Sequence, residues 1–141
     1  MVIFLVPVDG SEHSNRTIER VIQQVKWYRD DVEVHLLNVQ HAFPLRAASH
    51  VGQGRVQAYH REQGLAMLAE ARKRLDAAKV KYQFHIGIGE EADVICKYAR
   101  AKKADQIIMG TRGMGSVSNL LLGSVATKVI HLSKVPVLLV K

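Results

Sequence analysis

Short apolar runs alternate with amphipathic helical patterns along this chain, and that alternation constrains its fold more than any other feature. The runs occupy Val2 to Val8, Val32 to Val39, Tyr82 to Ile88, Gln106 to Gly110 and Val135 to Val140. Between the first two runs, Ile18, Val21 and Val25 recur at the spacing of one helix face. Alternating strands and helices form βαβ units, and near-continuous apolar strands are typical of a parallel sheet covered on both faces. The sequence therefore predicts a single doubly wound α/β domain over residues 1–141.

The remaining patterns predict further helices and one long irregular segment. Strong helix formers from about Arg55 to Ala78 predict the longest helix, and Ser124 to Ser133 predicts the last one. Apolar residues from Val94 to Ala99 predict a helix that closes near Lys102, where a cation suits the C-terminal dipole. The stretch from His41 to Gly54 contains a proline and two glycines, so we predict an irregular segment of a length typical of functional or mobile loops.

The composition fits one soluble domain. The 141 residues are 48% hydrophobic, which is enough for one buried core. Apolar runs stay well below the roughly 18 residues of a membrane span, and no secretory leader pattern precedes the first strand, so we expect no membrane span. Cys96 is the single cysteine, which excludes an internal disulfide and is consistent with a protein of the reducing cytoplasm. We expect its thiol to be buried and inert.

The formal net charge of +7 raises the question of a nucleic-acid partner. Lys and Arg are scattered along the chain and cluster only from Arg72 to Arg74. We interpret the charge as solvated helix faces and do not expect nucleic-acid binding, which would depend steeply on salt.

The stretch from Gly110 to Ser124, GTRGMGSVSNLLLGS, carries the strongest functional signal. It contains four glycines, three serines and one arginine between a predicted buried strand and a predicted helix. Glycines let a backbone approach a ligand closely, and free N–H groups at a helix start attract an anion. Ser124 and Arg112 could add contacts to a phosphate. No lysine follows Gly123, so the stretch is not a P-loop. The alternative to a phosphate site is that the glycines only make turns and the three leucines pack onto the core or a partner.

The spacing Gly110, two residues, Gly113, nine residues, Gly123-Ser124 resembles the nucleotide-binding signature of the ATP-binding branch of the universal stress proteins. The resemblance covers the whole chain, from Val8-Asp9-Gly10-Ser11 to the closing strand. It implies a five-stranded parallel sheet of order 3-2-1-4-5 with helices on both faces. In that order Asp9 and the glycine loop would form two walls of one crevice at the topological switch point, where ligands of open α/β sheets bind.

The resemblance also implies a set of adenine-nucleotide-binding residues and a cofactor, ATP, ADP or AMP, with Mg²⁺ held through the phosphates. Pro7, Val8 and Asp9 would border the nucleoside, with the Asp9 carboxylate offered to adenine or ribose, and Val39 would contact the base through its backbone. Met109 and Gly110 would lie near the ribose. Around the phosphates the resemblance places Arg112, Gly113, Gly123, Ser124, Val125 and Ala126. Family members often carry a hydroxyl residue at the position of Ala126, where this chain offers only a backbone N–H.

As a function, the resemblance implies a cytoplasmic, nucleotide-dependent regulator of the stress response that acts on a protein partner. A homodimer through Val135 to Val140 is expected, because a hydrophobic edge strand is open to pairing; alternatively, Lys134 and Lys141 protect that edge. We name no catalytic residues, since no carboxylate or histidine is tied by motif to the phosphate end. A slow ATP hydrolase and an AMP-binding adaptor dimer without turnover stay open as alternatives.

Two other patterns suggest chemistry more weakly. Gly87-x-Gly89-x-x-Ala92 resembles a dinucleotide fingerprint, but Glu90 and Glu91 place negative charge where a pyrophosphate needs the positive helix end. We expect this acidic pair to stabilise the helix start instead. The seven histidines lack metal-ligand spacing, although adjacent strands could bring His35 and His85 together.

Overall fold

The computed structural model describes residues 1–112 and 122–141 of the chain. Its strands are β1 (Val2–Pro7), β2 (Val32–Gln40), β3 (Tyr82–Ile88), β4 (Gln106–Gly110) and β5 (Val137–Val140). Its helices are α1 (Glu12–Val25), α2 (Leu45–Val51), α3 (Gln53–Ala77), α4 (Glu91–Ala101) and α5 (Ser124–Leu132). The strands form one five-stranded, parallel sheet in the order β3-β2-β1-β4-β5. The predicted fold class and strand order are confirmed.

Both faces of the sheet are covered, which explains the near-continuous apolar character of the strands. Phe4 and Val6 of β1 pack with Leu68 of α3 in a core that α1 also joins. Leu5, between them in sequence, points to the opposite face and packs with Ile95 of α4 in a second core that α5 completes. Successive side chains of a strand alternate between faces, so a strand buried on both sides needs apolar residues at consecutive positions.

The segment predicted to be irregular contains a helix instead. α2 occupies Leu45–Val51, and α3 begins two residues before the predicted start, at Gln53. Pro44 precedes α2, and Gly52, with a φ of +88°, separates it from α3. Strong helix formers lie between these two breakers, so a short helix forms where the sequence prediction counted only the proline and glycines. No residue of α2 is buried.

The last strand is shorter than predicted. β5 begins at Val137, whereas the sequence pattern placed its start at Val135. The Ser133 hydroxyl donates to Val135 O at 2.6 Å and accepts from Val135 N at 3.0 Å, and Pro136 has no N–H to give to a ladder. Val135 therefore belongs to a turn that leads into the strand.

Helix starts are capped by side chains at two places that border the carboxyl edge of the sheet. The Ser11 hydroxyl accepts from Ser14 N at 3.1 Å at the start of α1. The Glu90 carboxylate accepts from Asp93 N at 2.9 Å at the start of α4. Both caps follow strands directly, so they fix how α1 and α4 leave the sheet. No helix in the described ranges is both long and apolar enough to cross a membrane.

Candidate functional site

The carboxyl ends of β1, β2 and β4 surround a cavity of about 620 Å³. β1 is flanked by β2 on one side and β4 on the other, so the loop after β1 and the loop after β4 diverge to opposite faces at this point. That is the topological switch point, where ligands of open α/β sheets bind. The cavity volume lies in the usual range for small-molecule sites.

The predicted site residues in the described part of the chain all line this cavity. They are Pro7, Val8, Asp9, Val39, Met109, Gly110, Arg112, Gly123, Ser124, Val125 and Ala126. Gly113 lies outside the described residues. The structure thus brings the ends of three strands and the start of α5 to one cavity, and whether these residues hold a nucleotide stays a prediction.

Asp9 is fixed where β1 gives way to α1. Its N–H donates to the Ser14 hydroxyl at 3.2 Å, and its Oδ1 accepts from Ser11 N at 2.9 Å. Gly10, between Asp9 and the cap, has a φ of +80°, and a Cβ there would come within 3.2 Å of Met67 Cγ. The left-handed backbone and the close approach of α3 both favour glycine at this position.

The backbone of Val39 extends past the end of β1. Pairing between β1 and β2 closes with the bond from Val8 N to Leu37 O at 2.8 Å. Backbone groups alternate in direction along a strand with two parallel neighbours, and Gln40 O accepts from Gly89 N on the β3 side at 2.9 Å. Val39 therefore directs its N–H and C=O to the β1 side, beyond the last pair of that ladder. This adjacent donor and acceptor match the hydrogen-bonding edge of a base.

The opposite side of the cavity is built from the end of β4 and the start of α5. Gly123 is the N-cap of α5 and makes no side-chain cap, and the first turn of α5 holds no acidic residue. The first N–H groups of a helix have no intrahelical acceptor and carry the positive end of its dipole. Gly123 N donates to Thr111 O at 2.6 Å, and Thr111 N donates to Val140 O at 3.0 Å. This chain of bonds holds the start of α5 against β4 and β5 as a ready anion site.

Side chains that sequence reasoning missed complete the lining. They are Ser14, Leu37, Asn38, Gln40, His41, Met67, Glu91, Ile95 and Thr111. The Asn38 amide donates to Val8 O at 2.8 Å and accepts from Gln40 Nε2 at 2.7 Å, so two buried polar side chains brace the ends of β1 and β2. In the sequence, Asn38 and Gln40 stand out as polar residues at alternate positions near the end of an apolar strand, and this pattern could have indicated that they line the cavity.

Two glutamates at the start of α4 have different surroundings. The bond from Asp93 N and the Lys128 ammonium, 3.3 Å away, hold the pKa of the Glu90 carboxyl below its usual range. Glu90 thus stabilises the helix start, as the sequence predicted. Glu91 instead lines the cavity, and its Oε1 lies 3.1 Å from His41 Nε2.

A separate polar cluster, which we call the histidine cluster, consists of Glu33, His35, Lys81, Gln83 and His85. His35 Nε2 lies 2.9 Å from Glu33 Oε1, and His35 Nδ1 lies 2.9 Å from His85 Nε2. The predicted proximity of the two histidines is confirmed. Among the described residues, no group of three His, Cys, Asp or Glu side chains is arranged to hold a metal ion. Burial raises the pKa of the Cys96 thiol, as expected for an unreactive cysteine.

The five-stranded sheet, its strand order and the cavity at its switch point define a doubly wound α/β domain with a cavity at the carboxyl edge, where ligands of such folds bind. A model of the universal stress protein family matches residues 2–141, and the chain belongs to that family.

Three similar proteins match nearly the whole chain. Universal stress protein MJ0531 of Methanocaldococcus jannaschii is 33% identical over 138 residues, which are 97% of this chain and 80% of that protein. The solved structure of MJ0577 from the same organism superposes with a TM-score of 0.83 at 29% identity, covering 99% of this chain and 95% of that one. A universal stress protein solved in complex with cAMP superposes with a TM-score of 0.66 at 27% identity, with coverage of 99% and 95%.

Proposed function

We propose that this universal stress protein binds ATP in the cavity at its switch point and acts as a nucleotide-dependent regulator in the stress response of the cytoplasm. One observation carries the proposal: the free backbone pair of Val39 and the start of α5 lie on opposite sides of β1 in one cavity. Two strand spacings, about 10 Å, separate β2 from β4, and a nucleoside can bridge that distance. The complex of a family member with cAMP supports an adenine nucleotide as the ligand.

Each part of the nucleotide has a chemically suitable place. The base would pair with the N–H and C=O of Val39 and stack among the apolar side chains of Pro7, Met109 and Ile95, which line the cavity. The phosphates would take the free N–H groups of Ser124, Val125 and Ala126 and the Arg112 guanidinium. Asp9 lines the same cavity, and its carboxylate would be offered to the ribose. Mg²⁺ would bind through the phosphates, as it usually does with nucleoside triphosphates.

The experiment is mass spectrometry of the small molecules released by denaturing freshly purified protein, beside calorimetric titration of the emptied protein with ATP, ADP and AMP. Copurified ATP, or micromolar binding with ATP as the tightest ligand, supports the proposal. No bound nucleotide and no heat with any of the three would overturn it. Tightest binding of AMP would favour the adaptor alternative.

We also propose that the active form is a homodimer that pairs through β5. Within the described residues β5 pairs only with β4, so it is an edge strand of the sheet. Leu138 and Val140 direct their backbone groups to β4, as the bond from Thr111 N to Val140 O shows. The N–H and C=O groups of Val137 and Leu139 therefore point outward. A second copy of the same strand could satisfy them.

A further inference from the structure

Glu91 places a carboxylate in the cavity at the end where the base is proposed to lie. It is the first residue of α4, and Ile95, one turn later on the same helix face, also lines the cavity. Val39 on β2 faces the same core as Ile95. The Glu91 side chain is about one-third exposed, at 32%, so it borders the cavity without being sealed from it.

The carboxylate of Glu91 is held in place through one of its oxygens. His41, which follows β2 directly, lies 3.1 Å through Nε2 from Glu91 Oε1. The structure gives Glu91 Oε2 no partner within the described ranges. A carboxylate accepts hydrogen bonds and donates none. The base end of the cavity therefore presents an oriented acceptor that the backbone of the sheet does not supply.

From this placement we infer that Glu91 determines which purine the site accepts, by binding the second proton of the exocyclic amine of adenine. The inference rests on the proposed nucleotide function. The C=O of Val39 follows its N–H in the direction of Gln40 and His41, so an adenine paired with Val39 directs its amine towards Glu91. Val39 O can take one amine proton, and Glu91 Oε2 takes the other. A purine with an oxygen at this position would oppose its lone pairs to the carboxylate and lose affinity.

The same carboxylate also acts on the charged part of a nucleotide. Phosphate groups are repelled from Glu91 and attracted to the start of α5 and to Arg112, which line the same cavity.

The test is calorimetric titration with ATP and with inosine triphosphate, which carries an oxygen in place of the 6-amine and a proton on N1. The Val39 backbone opposes both changes in the native protein and in the variant alike, so only a change in the ratio of the two affinities reports on Glu91. The native protein is expected to prefer ATP. In Glu91→Gln the side-chain amide can present either an acceptor or a donor, so the ratio of the two affinities should fall by roughly tenfold or more, since hydrogen bonds to charged groups are strong. N6-methyl-ATP, which has one amine proton, should bind the native protein more weakly than ATP, and the part of that penalty that comes from the lost bond to the Glu91 carboxylate should disappear in Glu91→Gln.

Glu90→Gln is the matched control, because it removes the same charge one residue away and Glu90 does not line the cavity. Its ratio of ATP to inosine triphosphate affinity should equal that of the native protein, with thermal unfolding confirming that each variant is folded. An unchanged ratio in Glu91→Gln, in a protein that binds ATP, overturns the role of Glu91 and leaves the proposed function standing. A native protein that binds neither nucleotide overturns both.

Discussion

Gly123 has a backbone conformation that does not require glycine, so under the proposed function its small size matters for the space that a phosphate needs. Its φ of −69° and ψ of 161° suit any residue, and it is the N-cap of α5. We therefore expect Gly123→Val to fold normally, since exchanging an N-cap glycine for an apolar residue costs only about 1 kcal/mol. The added side chain would occupy space proposed for phosphate, and overpacking of 1–3 kcal/mol predicts a loss of ATP affinity of roughly tenfold or more.

Titration calorimetry of Gly123→Val with ATP, beside its thermal melt, checks this prediction. Gly54→Val is the matched control, because a Cβ at Gly54 meets nothing within 4 Å and Gly54 does not line the cavity. Native ATP affinity in a folded Gly123→Val protein would contradict the assignment of the phosphate end.

Several residues at strand ends and at the start of α5 could be placed in the cavity from the sequence and the family resemblance, whereas the residues that α3 and α4 contribute could not. Asp9, Val39 and Gly110 end or follow apolar runs, and the carboxyl ends of parallel strands meet at one edge of a sheet. Met67 and Glu91 lie on helices, and which helical residue reaches the cavity depends on how the helix is shifted along the sheet. That shift is set by packing contacts that periodicity does not encode. The strand order itself followed from the family resemblance and not from periodicity.

A packing contact of this kind, between Gly64 and Ile86, fixes the position of the whole helix α3 against the sheet. A Cβ added at Gly64 would lie 2.7 Å from Ile86 Cδ1 of β3, which is closer than side chains approach one another. Gly64 therefore lets α3 lie close against the sheet. We predict that Gly64→Ala destabilises the protein by about 1–3 kcal/mol, since overpacking outweighs the better helix propensity of alanine.

Chemical denaturation of Gly64→Ala and Gly54→Ala separates these two effects within one helix. At Gly54 the space around the added methyl group is open, so alanine there should leave stability unchanged or raise it by up to about 1 kcal/mol. Equal stability changes in the two variants would show that α3 does not depend on its close approach to Ile86.

Local sequence patterns predict some of the observed helix and strand bounds and miss others. The bounds of β3 and β4 agree with their sequence predictions, and glycine marks the carboxyl end of both, Gly89 after β3 and Gly110 at the end of β4. The sequence prediction misses α2 because Pro44 and Gly52 are typical of a loop, although they also mark the two ends of a short helix. The start of β5 was placed too early because valine at position 135 fits a strand by type, and the serine hydroxyl that holds it in a turn has no periodic signature.

For the whole molecule, the histidine cluster predicts a loss of stability in mild acid. Burial, followed by the charges of His35 and Lys102, lowers the pKa of His85 from 6.5 to about 4. An unfolded chain therefore binds a proton at His85 between these values and the folded protein does not. Stability from this group is complete above pH 6.5 and is lost as the pH falls from 6.5 towards 4. His85 contacts His35 and Tyr98 and is near enough to Lys102 to feel its charge. The other members of the histidine cluster bond to Glu33, which in turn contacts His35.

Thermal unfolding at pH 7.5 and pH 5 isolates this contribution. The hydrogen bond and charge of Lys81 hold the pKa of Glu33 below its usual value, so that carboxylate stays ionised at both pH values. In His85→Gln the drop in melting temperature between the two should be smaller than in the native protein by several degrees. His50→Gln, which changes an exposed histidine of α2, should keep the full drop. An identical drop in all three proteins would refute the role of His85.

If the dimer forms as proposed, it depends on the N–H and C=O groups of β5 that point away from β4. Testing this requires a variant that lacks one of these N–H groups and a control that loses a similar amount of side chain but keeps the N–H. Leu139 directs its N–H away from β4, and its side chain packs against the core beneath α4 and α5. Leu139→Pro removes that N–H, and an edge strand tolerates proline where its N–H faces outward. Leu139→Ala loses a comparable part of the side chain but keeps the N–H.

Analytical ultracentrifugation should therefore find that the dimer dissociation constant of Leu139→Pro exceeds that of Leu139→Ala by roughly tenfold, the cost of hydrogen bonds lost at both symmetric positions. Equal constants would mean that the two copies do not pair through this strand, and the outward groups of β5 would then be solvated in a monomer or covered by a different surface.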